Sequence, residues 1–336
     1  MSAAGSGLDS FAAGRSSTAS GQSSIACGTT SVASNTSSIG IGLSASATQA
    51  NAIAIGTSAS ASFANGISLG NGAVSSNTDA ISIGRVSSAT TINSVALGRD
   101  SSATGTAGIA IGWDPSASGP YSTAIGNLAN TSNAQAISIG SNIVNSGSRG
   151  VCIGYLSKSS ASNSVSIGES TDVTAAGGTA IGTLARVQDI QGVAIGGSAL
   201  SAGERAVTVG NSSVAGATAD FAVAVGPSAS CTQQRGVAVG NSAVSSSQFG
   251  IAIGSSSTSG GINGIAIGNN SNATSNESIA IGNGAVAGAY VPGTAAPIAI
   301  TTPGLVAGTP TGSAATHRLR VRVNGTNYTL ALYPDL

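Results

Sequence analysis

The chain has 336 residues, of which 41% are hydrophobic but only 3% aromatic and 7% charged, and its formal net charge is zero. A balanced charge indicates neither a nucleic-acid partner nor an anionic membrane surface. The uninterrupted apolar stretches are far shorter than the roughly 20 residues of a membrane-spanning helix, so membrane insertion is not expected.

After a short lead-in, predicted over residues 1–10, a glycine recurs every fourteen residues. The series runs from Gly14 to Gly282, with a single step of sixteen that ends at Gly226. A fixed short period is typical of a solenoid, in which each coil buries its apolar side chains against its neighbours. We therefore predict a shaft of about twenty coils over residues 11–286.

Large and small side chains alternate just before each of these glycines. The positions three and one residue before it are almost always Ile, Val or Leu, and the position between them is nearly always Ala or Ser. This period-two alternation is typical of a strand, and a weaker strand of small residues follows the glycine. Fourteen residues hold two such strands and two tight turns, which predicts a flat, two-sided β-roll whose coils stack about 4.8 Å apart.

The recurring glycine closes the first strand of each coil. Glycine is required there if φ is positive, or if a Cβ atom would collide with the next coil. Representative turn glycines are Gly56, Gly84, Gly112, Gly140, Gly168, Gly196, Gly240 and Gly268.

The interior of a two-sided roll is one side chain thick, which suits Ala and Ser and leaves the Ile and Val stripe facing outward. Such a strip is larger than the few hundred Å² of apolar surface that a soluble monomer usually exposes. We therefore expect another copy of the chain to cover it.

Hexamers of the form Asn-small-β-small-β-Gly carry a family resemblance. The clearest are NAIAIG at 51–56, NSVALG at 93–98, NSVSIG at 163–168 and NGIAIG at 263–268. Repeated in register over residues 11–282, the pattern resembles the head of YadA-type trimeric autotransporter adhesins.

This resemblance implies an all-β, left-handed parallel β-roll that packs as a homotrimer, with the Ile and Val face around the three-fold axis. The side chains that it places in the trimer core are Ile53, Ile55, Ile81, Ile83, Ile109, Ile111, Ile137, Ile139, Val165, Ile167, Ile251, Ile253, Ile265 and Ile267.

The composition changes beyond the last repeat glycine. Residues 287–316 are rich in Pro, Gly, Ala and Thr, which predicts an irregular connection. Residues 317–336 predict a β-hairpin around the Asn324-Gly325 turn. The expected cross-strand pairs are Val323 with Thr326, Val321 with Tyr328 and Leu319 with Leu330.

This hairpin resembles the short V-x-I-N-G-x-x-Y endings of phage tail-fibre and related virion proteins. The signal peptide, heptad stalk and membrane-anchor barrel of YadA-type adhesins are not recognisable in the sequence. We interpret the chain as a structural and adhesive phage tail fibre, located in the virion tail, that presents or supports a host-receptor-binding surface.

The expected partners are further copies of the chain, other tail or baseplate proteins, and a host-cell glycan or protein. One alternative is the head fragment of a bacterial trimeric adhesin, located at the cell surface. Another, from a third class, is a polysaccharide-degrading spike.

Candidates for catalysis and metal binding are few, and we expect neither an enzyme nor a cofactor. His317 is the only histidine and is expected at the surface. As the alternative, the three His317 side chains of a trimer would meet on the axis and form a metal site. Asp100 and Asp114 lie in adjacent coils, where paired carboxylates can serve a glycosidase or a cation. Arg85 and Arg99 stack beside them, which favours solvated turn charges.

Receptor contacts are expected from the few aromatic and cationic exceptions to a surface of Ser, Ala and Gly. Trp113 and Tyr121 are one candidate pair, for stacking on a sugar or docking another virion protein, with shielding of the roll's edge as the alternative. Arg318, Arg320 and Arg322 are the other group, either a basic edge for anionic glycans or a solubilising outer face.

Overall fold

The computed structural model describes residues 2–288 in full and, as backbone strands, Ile298–Ile300, His317–Val323 and Thr326–Leu332. Two units are distinguished, Met1–Ile300 and Thr301–Leu336. The described residues form strands and turns without any helix, and the first unit is a parallel solenoid of fourteen-residue coils, which confirms the predicted all-β class.

Each coil contributes one strand to each of two sheets. The first, here called the Ile/Val sheet, contains the strands that precede the repeat glycines and one further strand, Ile298–Ile300, that has no glycine after it. Its members are Phe11–Ala13, Ile25–Cys27, Ile39–Ile41, Ile53–Ile55, Ile67–Leu69, Ile81–Ile83, Val95–Leu97, Ile109–Ile111, Thr123–Ile125, Ile137–Ser141, Val151–Tyr155, Val165–Ile167, Thr179–Ile181, Val193–Ile195, Val207–Val209, Val223–Val225, Val237–Val239, Ile251–Ile253, Ile265–Ile267, Ile279–Ile281 and Ile298–Ile300.

The second, here called the short-strand sheet, contains the strands that follow the glycines, each two residues long. Its members are Ala4–Gly5, Thr18–Ala19, Val32–Ala33, Ser46–Ala47, Ser60–Ala61, Val74–Ser75, Ser88–Ala89, Ser102–Ala103, Ser116–Ala117, Asn130–Thr131, Val144–Asn145, Lys158–Ser159, Asp172–Val173, Arg186–Val187, Leu200–Ser201, Val214–Ala215, Ser230–Cys231, Val244–Ser245, Thr258–Ser259, Asn272–Ala273 and Val286–Ala287.

Each strand pairs in parallel with its counterparts one coil before and one coil after. Ile67, for example, lies opposite Ile53 on one side and Ile81 on the other. Because equivalent positions stack along the rod, every side chain belongs to a column of equivalent side chains. The members of one column are found in the sequence at intervals of fourteen residues.

Two tight turns connect the strands of each coil. In the first, the amide of Ala45 donates to the carbonyl of Gly42 at 3.3 Å, with Ser44 at a φ of 56°. In the second, the amide of Ala52 donates to Gln49 at 3.2 Å, with Asn51 at a φ of 57°. A positive φ at the third residue is the requirement of a type II turn, which explains the Asn residues five positions before many repeat glycines.

The repeat glycines form a column in which the backbones of successive coils lie in close contact. Gly140 has a φ of 137°, a region that only glycine adopts readily, and a Cβ built on it would overlap the carbonyl oxygen of Gly154. Both reasons expected from the sequence, a positive φ and a close approach, therefore apply at the same residue.

The interior is one side chain thick and is filled by small residues, as predicted. Ala54 and Ala61 are fully buried between the two sheets, and buried hydroxyls bond to one another: Ser68 donates to Ser75 at 2.8 Å. Since almost every buried Ser reaches a neighbouring oxygen, the narrow interior tolerates polar side chains at little cost. Among the described residues, Ser122 Oγ and Asn272 Oδ1 are the buried side-chain atoms without a hydrogen bond.

The single step of sixteen residues does not disturb either sheet. Val207 pairs with Val223 and Val214 with Ser230, so the ladders continue in register across the insertion. The two extra residues form an additional turn at Gly216–Ala219, closed by a hydrogen bond of 2.9 Å from the Ala219 amide to the Gly216 carbonyl.

The roll extends beyond the predicted shaft at both ends. Ala4–Gly5 pairs with Thr18–Ala19 inside the predicted lead-in, and Ile298–Ile300 pairs with Ile279–Ile281 inside the predicted connection. Ile298-Ala299-Ile300 repeats the large-small-large pattern without a following glycine, so the glycine period did not mark it. The rest of that connection, 289–297 and 301–316, lies outside the described residues.

The second unit contains the antiparallel strands His317–Val323 and Thr326–Leu332. The pairs Val323 with Thr326, Val321 with Tyr328 and Leu319 with Leu330 are present, which confirms the predicted hairpin register. Asn324 and Gly325 themselves lie outside the described residues.

None of the segments that the structure describes forms a helix with the length and apolar character needed to cross a membrane.

Replacing Gly140 by Ala tests the glycine column. We expect a loss of more than about 3 kcal/mol, because the new Cβ meets the next coil's backbone at a φ that disfavours any side chain. Gly72→Ala is the control, since Gly72 also has a positive φ but its nearest neighbour would be Val86 Cγ2 at 3.8 Å. Thermal unfolding followed by circular dichroism compares the two, and equal midpoints would contradict the close-contact explanation.

Two interior thiols provide a second test. Burial raises the pKa of Cys152 and of Cys231 to about 12, so at pH 8 their thiolate fraction is roughly a thousandfold below that of a free thiol. We expect both to resist alkylation in the native protein at pH 8. All three cysteines should react in denaturant, as mass spectrometry would show, whereas native labelling of either interior thiol would mean that the roll opens.

Candidate functional site

The outer face of the Ile/Val sheet is a continuous apolar surface. The fourteen predicted trimer-core side chains all project from it and are half-buried or exposed; Ile139 retains 39% of its accessible surface, while the neighbouring Ser138 is fully buried in the interior. Within one chain, nothing described covers this face.

The two turns of each coil form the two edges of the roll. We call the edge that contains the residues directly after the repeat glycines, such as Trp113, the glycine edge. The other edge contains the turns that precede the Ile/Val strands, such as that of Tyr121, and is called the opposite edge. Every coil therefore presents two faces and two edges, each built from columns of stacked residues.

The glycine edge holds the charged cluster noted in the sequence. Asp100 accepts from Arg99 Nε at 2.8 Å and from Arg85 at 3.3 Å, and the Arg99 guanidinium lies 5.3 Å from the centre of the Trp113 ring. The carboxylate of Asp100 is thus held by two arginines. Asp114 occupies the equivalent place in the next coil, with a φ of 53°.

The structure does not bring Trp113 and Tyr121 together within one chain. Trp113 is 55% exposed at the glycine edge, whereas Tyr121 is 64% exposed at the opposite edge, with the strand Ser116–Ala117 between them. Eight residues of a two-sided coil carry the chain from one edge to the other. The two aromatics therefore form separate surfaces and do not stack on one sugar ring in a single subunit.

The opposite edge carries ladders of polar side chains in the column of Tyr121. Asn51 donates to Asn65 at 3.1 Å, and Asn65 to Asp79 at 2.8 Å. Further along the rod, Arg149 donates to Gln135 and to Asn163. One coil spacing is therefore short enough for direct side-chain contact between neighbouring coils.

A second ladder in this column alternates arginine with phenylalanine and was missed by the sequence analysis. Its members are Arg205, Phe221, Arg235 and Phe249. The signal was available, because all four lie five residues before a repeat glycine, but the sixteen-residue step hides the spacing between the first two.

The outer face of the short-strand sheet has one charged group of side chains. Lys158, Asp172 and Arg186 are paired on successive strands and line a shallow depression of about 240 Å³. It contains a single carboxylate, and glycoside hydrolysis commonly uses a pair of them. The depression therefore lacks the acid pair that a polysaccharide-degrading spike would need there.

Among the residues with described side chains, no group of three or more His, Cys, Asp or Glu is placed to hold a metal ion. The side chains of His317, Arg318, Arg320 and Arg322 lie outside the described part, so the axial metal site and the basic edge stay predictions.

The comparisons with known proteins concern the roll. The family model described as the YadA head domain repeat matches residues 6–31, 33–59, 47–73, 75–101, 89–114, 117–142, 232–257 and 259–285. Among solved structures, the chain is similar to the collagen-binding domain of the Yersinia adhesin YadA, with 24% identity, 45% of this chain and 82% of that chain covered, and a TM-score of 0.37. No curated protein matches the chain. Because the matched repeats cover more than half of the sequence, the chain belongs to the family of YadA head domain repeat proteins.

Proposed function

We propose that this protein is the structural and adhesive part of a homotrimeric fibre, and that the fibre belongs to a phage tail. The observation that carries the proposal is the outward face of the Ile/Val sheet, which continues along the whole roll. Its side chains are left half-buried or exposed by the single chain, and its regular columns suit a partner with the same repeat.

The dimensions of that face support self-association. Twenty coils at about 4.8 Å each, with strands of three residues, give a strip roughly 95 Å long and 10 Å wide. Its area of about 1,000 Å² exceeds what monomers usually expose and matches the roughly 800 Å² per partner of a stable interface. Identical chains meet this face in register, since every copy has the same fourteen-residue spacing. The number three follows from the resemblance to YadA-type heads.

An adhesive role is supported by the shape and by the family. The depression on the outer face of the short-strand sheet is shallow and open, which suits contact with an extended surface rather than an enclosed reaction. The head repeat of this family is named after YadA, which is an adhesin. We infer that the fibre presents or supports a host-binding surface and is not an enzyme; the release of new reducing ends from host glycans would contradict this.

The choice of a phage is supported by the C-terminal hairpin, whose sequence resembles endings of phage tail-fibre proteins and whose pairing register is the expected one. The bacterial surface adhesin remains the second candidate, because the head repeat is shared with it. Immunogold labelling with antibodies against the roll decides between them. Label on tails of purified virions supports the first, and label on the surface of phage-free cells supports the second.

An aspartate in the apolar face tests the trimer. The parent should have a mass about three times the 31.6 kDa of one chain by light scattering. Ile139→Asp should abolish or weaken assembly, because it places three carboxylates together in an apolar seam. Asn130→Asp introduces the same charge on the outer face of the short-strand sheet in the same coil and should leave the mass unchanged. A parent that stays a folded monomer would refute the trimer.

The receptor contacts are tested by two variants of the trimer. Trp113→Ala should reduce host-cell binding severalfold without changing the mass, because an exposed aromatic supplies most of the contact energy that this surface offers. Changing Arg318, Arg320 and Arg322 to Gln should remove the salt-sensitive part of binding, since exposed charges are screened over about 8–10 Å at physiological salt. If both variants bind as the parent does, the fibre is a connector for another receptor-binding subunit.

A further inference from the structure

The arginine–phenylalanine ladder of the opposite edge is a continuous stack over four coils. Phe221 lies between two guanidinium groups, with Arg205 at 5.5 Å and Arg235 at 5.9 Å from its ring centre. Arg235 in turn lies between two rings, with Phe249 at 5.5 Å on its other side. These distances are within the range of cation–π attraction, so each rung holds the next in place.

The backbone of this column does not call for such side chains. All four rungs have a φ between 52° and 58°, the left-handed region in which Gly and Asn are least strained. Elsewhere the same column holds Asn51, Asn65 and Asn163, and also Tyr121 and Arg149, all at a similar φ. What sets these four coils apart is the unbroken alternation of a cation with a ring, which the turn itself does not require.

The two arginines differ in what their donors contact. Arg205 donates to Gln191 at 2.7 Å and forms an ion pair with Glu204 at 3.3 Å. The Arg235 guanidinium has rings on both sides and, within the described residues, makes no side-chain hydrogen bond or ion pair; the backbone amide of Arg235 donates to the Asp220 carbonyl at 2.8 Å. Its guanidinium is therefore held in position while its N–H donors remain available, which is the preorganisation that favours a carboxylate.

The groups around Arg235 suit an anion that carries hydroxyl groups. Phe221 and Phe249 are 45% and 43% exposed, and their ring rims carry the positive part of the aromatic quadrupole. The nearest acid, Asp220, already accepts from Gln234 at 3.2 Å and from the Glu204 amide at 3.0 Å. The exposed amide of Gln248 is next along this edge and offers hydrogen bonds to sugar hydroxyls.

We propose that this part of the opposite edge, Arg235 with Phe221 and Phe249, binds the carboxylate group of an acidic polysaccharide. The carboxylate accepts from the Arg235 guanidinium, and the sugar ring lies against the two phenylalanine rims. An open edge without a cavity suits a long polymer that lies along the rod, which favours a glycan chain over a small molecule. This site deepens the proposed adhesive function and rests on it.

The test uses the purified full-length protein with sodium polygalacturonate, and with the fully methyl-esterified polymer as an uncharged match. We expect the parent to bind polygalacturonate, and the ester at least roughly tenfold more weakly, because the charge-assisted hydrogen bonds are lost. Arg235→Gln should cause a similar loss, and Phe249→Leu a severalfold one.

Two matched variants control for charge and for apolar area. Arg149→Gln removes an exposed arginine from the same column, where Gln135 and Asn163 occupy its donors. Phe63→Leu removes an exposed ring from another turn of the same edge. Both should bind polygalacturonate as the parent does.

Four binding results would overturn the site. They are no binding of polygalacturonate by the parent, equal binding of the methyl ester, unchanged binding by Arg235→Gln, or equally tight, Arg235-dependent binding of poly-glutamate, which would assign the edge to an acidic protein. A changed trimer mass in Arg235→Gln would likewise overturn it, by making the ladder a subunit contact. Host-cell binding is measured separately. Binding to cells without binding to polygalacturonate refutes the site alone. Binding to polygalacturonate without binding to cells refutes only the adhesive function.

Discussion

The contact between successive glycines sets the architecture of the roll. Successive coils can stack at strand spacing on both sheets only if the residue at the corner between the two strands, the repeat glycine, has no Cβ atom. At Gly140, the carbonyl oxygen of Gly154 lies where a Cβ atom would be. Since the same residue also has a φ of 137°, the corner has a backbone that no other residue supplies easily. Parallel register, the stacking of equivalent side chains and the narrow interior all follow from repeating this corner every fourteen residues.

The thin interior determines where the hydrophobic driving force lies. Ala and Ser fill the space between the sheets, and large side chains such as Ile139 are left on the outside. A single chain therefore buries much backbone and little large apolar surface. Much of the apolar surface able to stabilise the fold remains at the outer face. In the proposed trimer, assembly is therefore part of folding rather than an addition to it.

The sequence predicted the strands of the Ile/Val sheet well, because Ile-Ala-Ile followed by Gly combines β-branched residues, period two and a stop signal in four positions. It also predicted the hairpin, since the Asn324-Gly325 turn fixes which residues pair. The ends of the roll were missed because Ala4–Gly5 and Ile298–Ile300 have no repeat glycine beside them.

Which side chains are neighbours was predicted less well than the fold, because side-chain neighbours in a solenoid are fourteen residues apart rather than adjacent in sequence. Trp113 and Tyr121 are close along the chain and were paired for that reason, yet they lie on different edges. Arg235 and Phe249 are a coil apart and are in contact. Reading the sequence in columns recovers the second pair and separates the first.

The direction of the backbone hydrogen bonds has a mechanical consequence for any fibre built from this roll. The strands run across the rod, so the bonds between coils, such as that from the Ile53 amide to the Gly66 carbonyl at 2.9 Å, lie along its axis. Tension along the axis therefore pulls directly on these hydrogen bonds, which break one coil at a time. A coil contributes about 4.8 Å to the folded rod, but fourteen extended residues span up to roughly 46–50 Å. Each coil that opens under load lengthens the tether about tenfold locally and relaxes the force, so a fibre of this kind yields in small steps instead of breaking at once.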